Sequence, residues 1–330
     1  MNEHRVHSAS ETRLEMAARA ALKAPSVFNT QPWIWRISGS SMQLWSDPAR
    51  QLENTDPDGH LLLISCGAAL HHARIALAAA GRRVQVDRLP DPAQPRLLAR
   101  LRIDNDTVRV DPETARLAAA IDHRRTDRRA FGAREVPGAV IDRLRQLVEA
   151  HGCYLHLVRS DQVCMLAISA ELAAAAESED PDYQAELERW TLRGPWSGDG
   201  VPRTTAVVPG LRRVPVRDFA PDGTAGLDVG QGRDQGAAYV IVYGVSTRPV
   251  DLLRAGEALS ALLLSATADG LSTAPLSDAV EVTWPRHLLR GLLAGTGEPY
   301  IVVRLGYRDA ERPLPATPRR NADQIIEFVD

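Results

Sequence analysis

Apolar residues recur at three- and four-residue spacing through TRLEMAARAALKA (12–24), and Ser8 with Glu11 just before them fits a capping box. The pattern predicts a first helix, which Pro25 stops. The period then changes. WIWRISGSSMQLW (33–45) holds two short runs rich in Trp and Ile around a Gly-Ser turn, which reads as a hairpin. GHLLLISCGAALHHARIALAAAG (59–81) is apolar on most faces and predicts a long buried helix, with Gly81 as its C-terminal cap. RRVQVDRLP (82–90) and LLARLRID (97–104) read as strands, and DPETARLAAAI (111–121) as a helix capped by Asp111 with Pro112 in its first turn.

Beyond residue 116 a second half begins. Helices are predicted at 137–150, 161–176 and 181–192, with the strand CYLHLV (153–158) between the first two. Residues 193–236 carry many Gly and Pro, show no periodicity and are too long for a simple connection, so a lid, an arm or a mobile loop is expected. AAYVIVYGV (237–245) and PYIVVRLGY (299–307) are strands, 248–270 is a second buried helix, and the end from 308 to 330 reads as an arm with a short terminal helix. A shift of 189 positions lays GAALHHARIALAAAG on GEALSALLLSATADG, so that Gly67 meets Gly256, Leu70 meets Leu259 and Gly81 meets Gly270. Two buried helices can match by chance. The match also suits a duplicated unit, with halves at 1–115 and 116–330 packed as a pseudo-dimer.

With 330 residues, 44% apolar and 25% charged, the chain has the composition of one large or two ordinary globular domains. The formal charge of −3 gives no global pull toward nucleic acid or anionic membrane. Lys23 is the sole lysine, so nearly every anion held by side-chain charge must be held by arginine, whose planar fork suits phosphate and carboxylate. Cys66, Cys153 and Cys164 form no C-x-x-C pair and read as reduced thiols. The polar start lacks the apolar core of a signal peptide, and no apolar run reads as long enough to span a bilayer, so a cytoplasmic enzyme or binding protein is the expectation.

Three short stretches carry candidate chemistry. HRRTDRRAF (123–131) is either a solvated basic turn or an anion grip in which arginine forks and the Thr126 hydroxyl neutralise a dianion. APSVFNTQPW (24–33) is either an ordinary Asn/Ser turn or a cradle in which Ser26, Asn29 and Gln31, stiffened by Pro25 and Pro32, meet the polar edge of a redox heterocycle. DGLSTAPL (269–276) is either a helix cap with a short extended run or a place where the backbone meets a ligand. His71 and His72 are adjacent on a helix and point to different faces, so they do not share a metal easily. No metal, P-loop, Rossmann or G-x-S-x-G signature is present.

Taken in order, APSVFNTQPW, ISCGAALHHARIALAAAG, RRTDRRAF, GEALSALLLSATADGLST, YIVVRLGY and PATPRR resemble the FMN-dependent nitroreductase superfamily, most closely its Acg-like branch of two fused nitroreductase-type halves. The resemblance runs over nearly the whole chain. It implies an α+β nitroreductase-like fold, internally duplicated so that one chain mimics the usual homodimer, with mixed sheets flanked by helices. It implies one bound FMN per chain. Arg124, Arg125, Thr126 and Arg128 match the superfamily segment that holds the phosphate and ribityl end, with Thr in place of Ser. Pro25, Ser26, Asn29 and Gln31 match the segment that contacts ring and ribityl chain. Gly270, Leu271 and Ser272 match the backbone beside the reactive nitrogen edge, and Arg319 and Arg320 match late basic residues that reach the phosphate. Neither Arg5 with Arg13 nor GPWSGDG makes a second copy of these motifs, so the mirror site is expected to be vestigial and the chain to be a monomer.

The activity implied is NAD(P)H-dependent reduction of nitroaromatic or quinone-like acceptors by hydride transfer through FMN, with no catalytic side chain assigned. The alternative is a protein that stores or sequesters FMN with little turnover, residues 193–236 closing over the site and Trp196 taking the nicotinamide's place. A structural protein with a dead site is a third reading.

Overall fold

A computed structural model describes residues 8–329 apart from 195, 209, 221, 222, 231 and 309–312, with the backbone alone at Asn105. Arg5 and parts of the 193–236 and 308–330 segments therefore lie outside the described residues. Helix α1 (Ala9–Ala21) begins at a complete capping box: Ser8 Oγ accepts from Glu11 N at 3.1 Å, and Ser8 N donates to the Glu11 carboxylate at 2.7 Å. Strands β1 (Trp33–Ser38) and β2 (Ser41–Ser46) form the expected hairpin, closing on the pair Ser38 and Ser41. Helix α2 (His60–Ala79), strands β3 (Arg82–Arg88) and β4 (Leu97–Thr107), and helix α3 (Pro112–His123) follow, and α3 runs across the boundary expected between residues 115 and 116.

The second half runs α4 (Gly138–Glu149), β5 (Tyr154–Leu157), α5 (Val163–Glu179), α6 (Pro181–Thr191), β6 (Ala238–Gly244), α7 (Pro249–Ala268), β7 (Ser272–Leu276), α8 (Asp278–Glu281), α9 (Thr283–Leu292) and β8 (Glu298–Gly306). A four-stranded antiparallel sheet orders these strands β5-β6-β8-β7. The five-stranded sheet of the first half is β3-β4-β2-β1-β9, and its last strand, β9 (Ile326–Phe328), comes from the far end of the chain. That sheet is mixed, because β9 pairs parallel with β1, Trp35 opposite Ile326.

Two expectations change here. The terminal helix is a strand: after a single 3-10 turn at Ala322–Gln324 the chain takes up the free edge of β1, burying Ile326 and turning Glu327 outward. A tertiary edge has overridden local helical spacing. Helix α2 is also long and apolar enough, over its 20 residues, to cross a membrane, contrary to the sequence reading. Most of its surface is packed inside the protein, where an all-round apolar helix belongs.

Helices α2 and α7 cross at two glycines. A Cβ on Gly67 would lie 2.0 Å from the Leu253 carbonyl oxygen, and one on Gly256 would lie 2.0 Å from the Ile64 carbonyl oxygen. The contact is reciprocal, and each partner stands 189 positions from its counterpart, as do His71 and Ser260, which share a hydrogen bond at the same crossing. Only glycine permits backbones this close. The crossing lies between two cores: one around α1, α2 and the first sheet, the other around α4, α7 and the second sheet.

Candidate functional site

The segment from Pro25 to Gln31 leaves α1 and turns sharply. Phe28, Asn29 and Gln31 all have left-handed backbone, at φ of 45°, 54° and 50°. Three such non-glycine residues in four positions cost roughly 1–3 kcal/mol each, so the surroundings must hold them. Ser26 Oγ accepts from Gln31 N at 3.0 Å and Ser65 Oγ accepts from Val27 N at 3.1 Å. The Gln31 amide donates to Gly198 O at 2.8 Å and accepts from Arg320 N at 3.0 Å. The Asn29 amide donates to Gly200 O and Pro318 O and accepts from Arg319 Nη1 at 3.2 Å. Asn29 and Gln31 therefore spend their side chains on the protein, locking the turn to the 193–236 segment and the C-terminal arm.

Residues 124–128 run extended behind α3, and Thr126 bridges Thr273 beside β7. Extended backbone alternates its side chains. Thr126 and Arg128 line a half-open cavity. Arg125 and Asp127 face a separate cleft on the other side. The cavity is walled by Pro25, Ser26 and Phe28 of the turn, Leu61, Ile64 and Ser65 of α2, and Pro275 to Asp278 at the end of β7. Gly270, Leu271 and Ser272 do not reach it. They border the Arg125 cleft, with Leu271 buried in the second core, because the chain between Ser272 and Leu276 runs as a strand past the bridge to Thr126.

Arg124 is buried where α3 ends, close to Arg319 of the arm and to Arg125. One carbonyl, Lys23 O, accepts from Arg124 Nη2 at 3.4 Å and from Arg319 Nη2 at 3.2 Å. Arg124 Nε and Nη1, Arg125 Nε and Arg319 Nε are buried with no hydrogen-bond partner. Burial first, then the neighbouring arginines, push the Arg124 guanidinium down to about 9; burial and Arg125 push Arg319 down to about 10. Clustered cations with orphaned N–H donors are costly unless an anion arrives, and phosphate oxygens fit such donors. Arg128, pushed down to about 10 by burial and then by Arg217, lies over the Phe219 ring at 4.5 Å. Arg320 Nη1 donates to Gln31 O at 3.0 Å, so Arg320 holds the turn.

No family model matches the chain. Among curated proteins it is 38% identical over 314 residues to "Putative NAD(P)H nitroreductase Rv3131" of Mycobacterium tuberculosis, a match covering 94% of this chain and 90% of the relative. Another M. tuberculosis relative of the same description, acg, is 35% identical over 317 residues, 95% of each chain. The chain belongs to the nitroreductase family. Among solved structures, the FMN- and NADPH-dependent nitroreductase NfnB from Sphigopyxis sp. strain HMH covers 65% of this chain and 99% of its own, at 16% identity and a TM-score of 0.42. NfnB from Mycobacterium smegmatis, in complex with NADPH, covers 65% of this chain and 100% of its own, at 16% identity and a TM-score of 0.40. Likeness of that degree transfers no residue-level detail.

This nitroreductase family member carries wall residues that the sequence did not single out. Val216, Arg217 and Phe219 bring the 193–236 segment into the cavity wall. Arg217 is fixed by Glu177 at 2.8 Å and Glu281 at 2.5 Å, and lies over Phe28 at 5.0 Å. The aromatic that reaches the cavity is Phe219, edge-on to Phe28 at 5.5 Å, whereas Trp196 is 96% exposed and closes nothing. No spacing rule links residue 219 to residue 28, so neither was legible. His71 and His72 also behave unexpectedly. Both reach one hydroxyl: Ser260 Oγ lies 2.8 Å from His71 Nδ1 and 2.9 Å from His72 Nδ1.

Proposed function

We propose that the chain is an FMN-dependent NAD(P)H oxidoreductase of the nitroreductase kind, holding one FMN across its two halves. The observation that carries this reading is the Arg124–Arg125–Arg319 cluster, in which four buried guanidinium nitrogens have no partner, on the chain segment whose Thr126 and Arg128 line the cavity. The name shared by the curated relatives supports the NAD(P)H-linked activity. When bound, FMN would supply the hydride chemistry. Arg124, Arg125 and Arg319 would hold its phosphate, with Asn29 and Lys23 O aiming the Arg319 fork. Ser26, Thr126 and Arg128 would meet the ribityl chain and the polar edge of the ring, and Pro275 to Asp278 would face its other edge in place of Gly270 to Ser272. Phe28, Leu61, Ile64 and Phe219 would help to exclude water from the cavity when it is filled. No side chain need donate a proton to the acceptor, taken to be a nitroaromatic or quinone. The reciprocal α2–α7 crossing supports an internal duplication acting as a monomeric pseudo-dimer.

A second reading is FMN held with little turnover. A visible absorption spectrum of the purified protein, followed by anaerobic NADH and NADPH, separates the two. Prompt bleaching of a flavin spectrum is the expected result. A flavin that persists under both donors would favour retention, and a protein that rejects FMN would overturn both.

A further inference from the structure

Five aspartates are buried among the described residues, and four of them are answered. Asp56 caps α2, accepting from Leu61 N at 3.0 Å and Leu62 N at 2.8 Å. Asp127 pairs with Arg129, Asp199 with Arg193 and Asp234 with Arg304, each at 3.1 Å or less. Asp278, 5% exposed, has no hydrogen-bond or ion-pair partner among the described residues. It stands at the start of α8, where the turn closes on backbone: Ser277 O accepts from Val280 N at 2.8 Å, so the Asp278 carboxylate is not spent on a cap.

Its place is the cavity wall, shared with Ser26, Thr126 and Arg128. Two cations stand on the same wall. Arg217 is held by Glu177 at 2.8 Å and by Glu281 at 2.5 Å, so it has two carboxylates of its own. Arg128 lies over the Phe219 ring at 4.5 Å, and its guanidinium makes no hydrogen bond or ion pair among the described residues. The cavity therefore presents one cation and one anion, each without a partner and not joined to each other. An unanswered buried carboxylate is unfavourable. Kept on a cavity wall, it acts on whatever fills the cavity.

We propose that Asp278 sets the reduction potential of the flavin: its uncompensated carboxylate, lining the FMN cavity, disfavours the reduced cofactor. The inference rests on the functional reading above. Hydride transfer from NAD(P)H breaks the nicotinamide C4–H bond and forms a flavin N5–H bond. The nicotinamide loses two electrons and the flavin gains them, so at neutral pH the cavity acquires one negative charge. Two unit charges about 10 Å apart, at an effective dielectric constant of about 20, change an equilibrium by more than tenfold. Asp278 therefore lowers the potential, and Arg128 on the same wall raises it. A lower potential makes the bound flavin a stronger reductant and suits acceptors that are hard to reduce.

The midpoint potential of bound FMN, read from the visible spectrum during anaerobic equilibration with reference dyes, tests this in the holoprotein and needs no turnover. In Asp278→Asn the potential should rise by about 30 mV or more, the equivalent for a two-electron couple of a tenfold gain in affinity for reduced over oxidised FMN. Arg128→Gln should shift it the other way. Should Asp278→Asn fail to fold, Asp278→Ser carries the same expectation. An unchanged potential in the Asp278 variant at full flavin occupancy, or shifts of the same sign in the Asp278 and Arg128 variants, would overturn the role of Asp278 and leave the flavin reading intact. Failure of the wild-type apoprotein to bind FMN at all would overturn both.

Discussion

Two buried arginine sites, near one another in the second half, are built in opposite ways. Arg304 on β8 is fully buried and its charge is answered: its Nη1 donates to both Asp234 oxygens at 2.9 and 2.7 Å, its Nη2 to Asp127 O and Arg129 O, only its Nε has no partner, and the Phe131 ring lies 4.1 Å from its guanidinium carbon. Arg124 is nearly as buried, yet it has one long hydrogen bond, two orphaned nitrogens and other arginines for company. The first is a structural pair that fastens the 124–131 segment and the end of the 193–236 segment to the sheet. The second is a charge in want of an anion. Burial alone separates nothing; the presence or absence of a countercharge separates structure from site.

Breaking the answered site should have the largest effect. Asp234→Ala strands a buried cation and also frees Phe131 N, which the carboxylate accepts at 2.7 Å, so a loss of about 3–5 kcal/mol in chemical denaturation is expected with or without flavin. Gly67→Ala and Gly256→Ala force a methyl into a carbonyl oxygen on the opposite helix and should each cost about 1–3 kcal/mol or more. The two losses should be similar because the contact is reciprocal. A large inequality in denaturation midpoints would break the pseudo-symmetric account of the crossing.

At the unanswered site the sign reverses. Arg124→Leu removes an uncompensated buried charge, so the apoprotein should unfold at an equal or higher temperature. FMN affinity should nevertheless fall by about 1.5–3 kcal/mol, roughly ten- to a hundredfold, as charge-assisted hydrogen bonds are lost. A variant less stable than wild type with unchanged affinity would make Arg124 structural. The smallest effect is on pH dependence. His72 is held down to about 3 in the folded apoprotein, against about 6.5 when unfolded. Between those values the unfolded chain binds more protons, so stability falls as the pH drops. His72→Asn should flatten that fall by about 1.4 kcal/mol per pH unit, read from denaturation curves at pH 6 and pH 5.

The elements were legible where local chemistry decides them. Ser8 with Glu11, Asp111 with Pro112, and Gly81 at φ 70° mark helix ends where they were expected. The motif residues were legible as a set, but not their division of labour. Nothing local distinguishes an Asn29 that grips a cofactor from one that grips Arg319, because that choice is made by an arm about 290 residues away. The same distance hides β9, whose partner edge exists only after folding. Helices α8 and α9 escaped because they are short and begin without a side-chain cap. Residues Val216 to Phe219 escaped because aperiodic chain says nothing of what it packs against.

The central claim is that the arginine cluster is a phosphate site. Thermal unfolding of the apoprotein with saturating FMN, and separately with riboflavin at the same concentration, tests it most directly. Free ligand at about a thousand times its dissociation constant stabilises by about 4 kcal/mol. The account predicts a shift of many degrees with FMN and a far smaller one with riboflavin, the difference shrinking in Arg124→Leu. Equal shifts for the two ligands, or none for either, would contradict it.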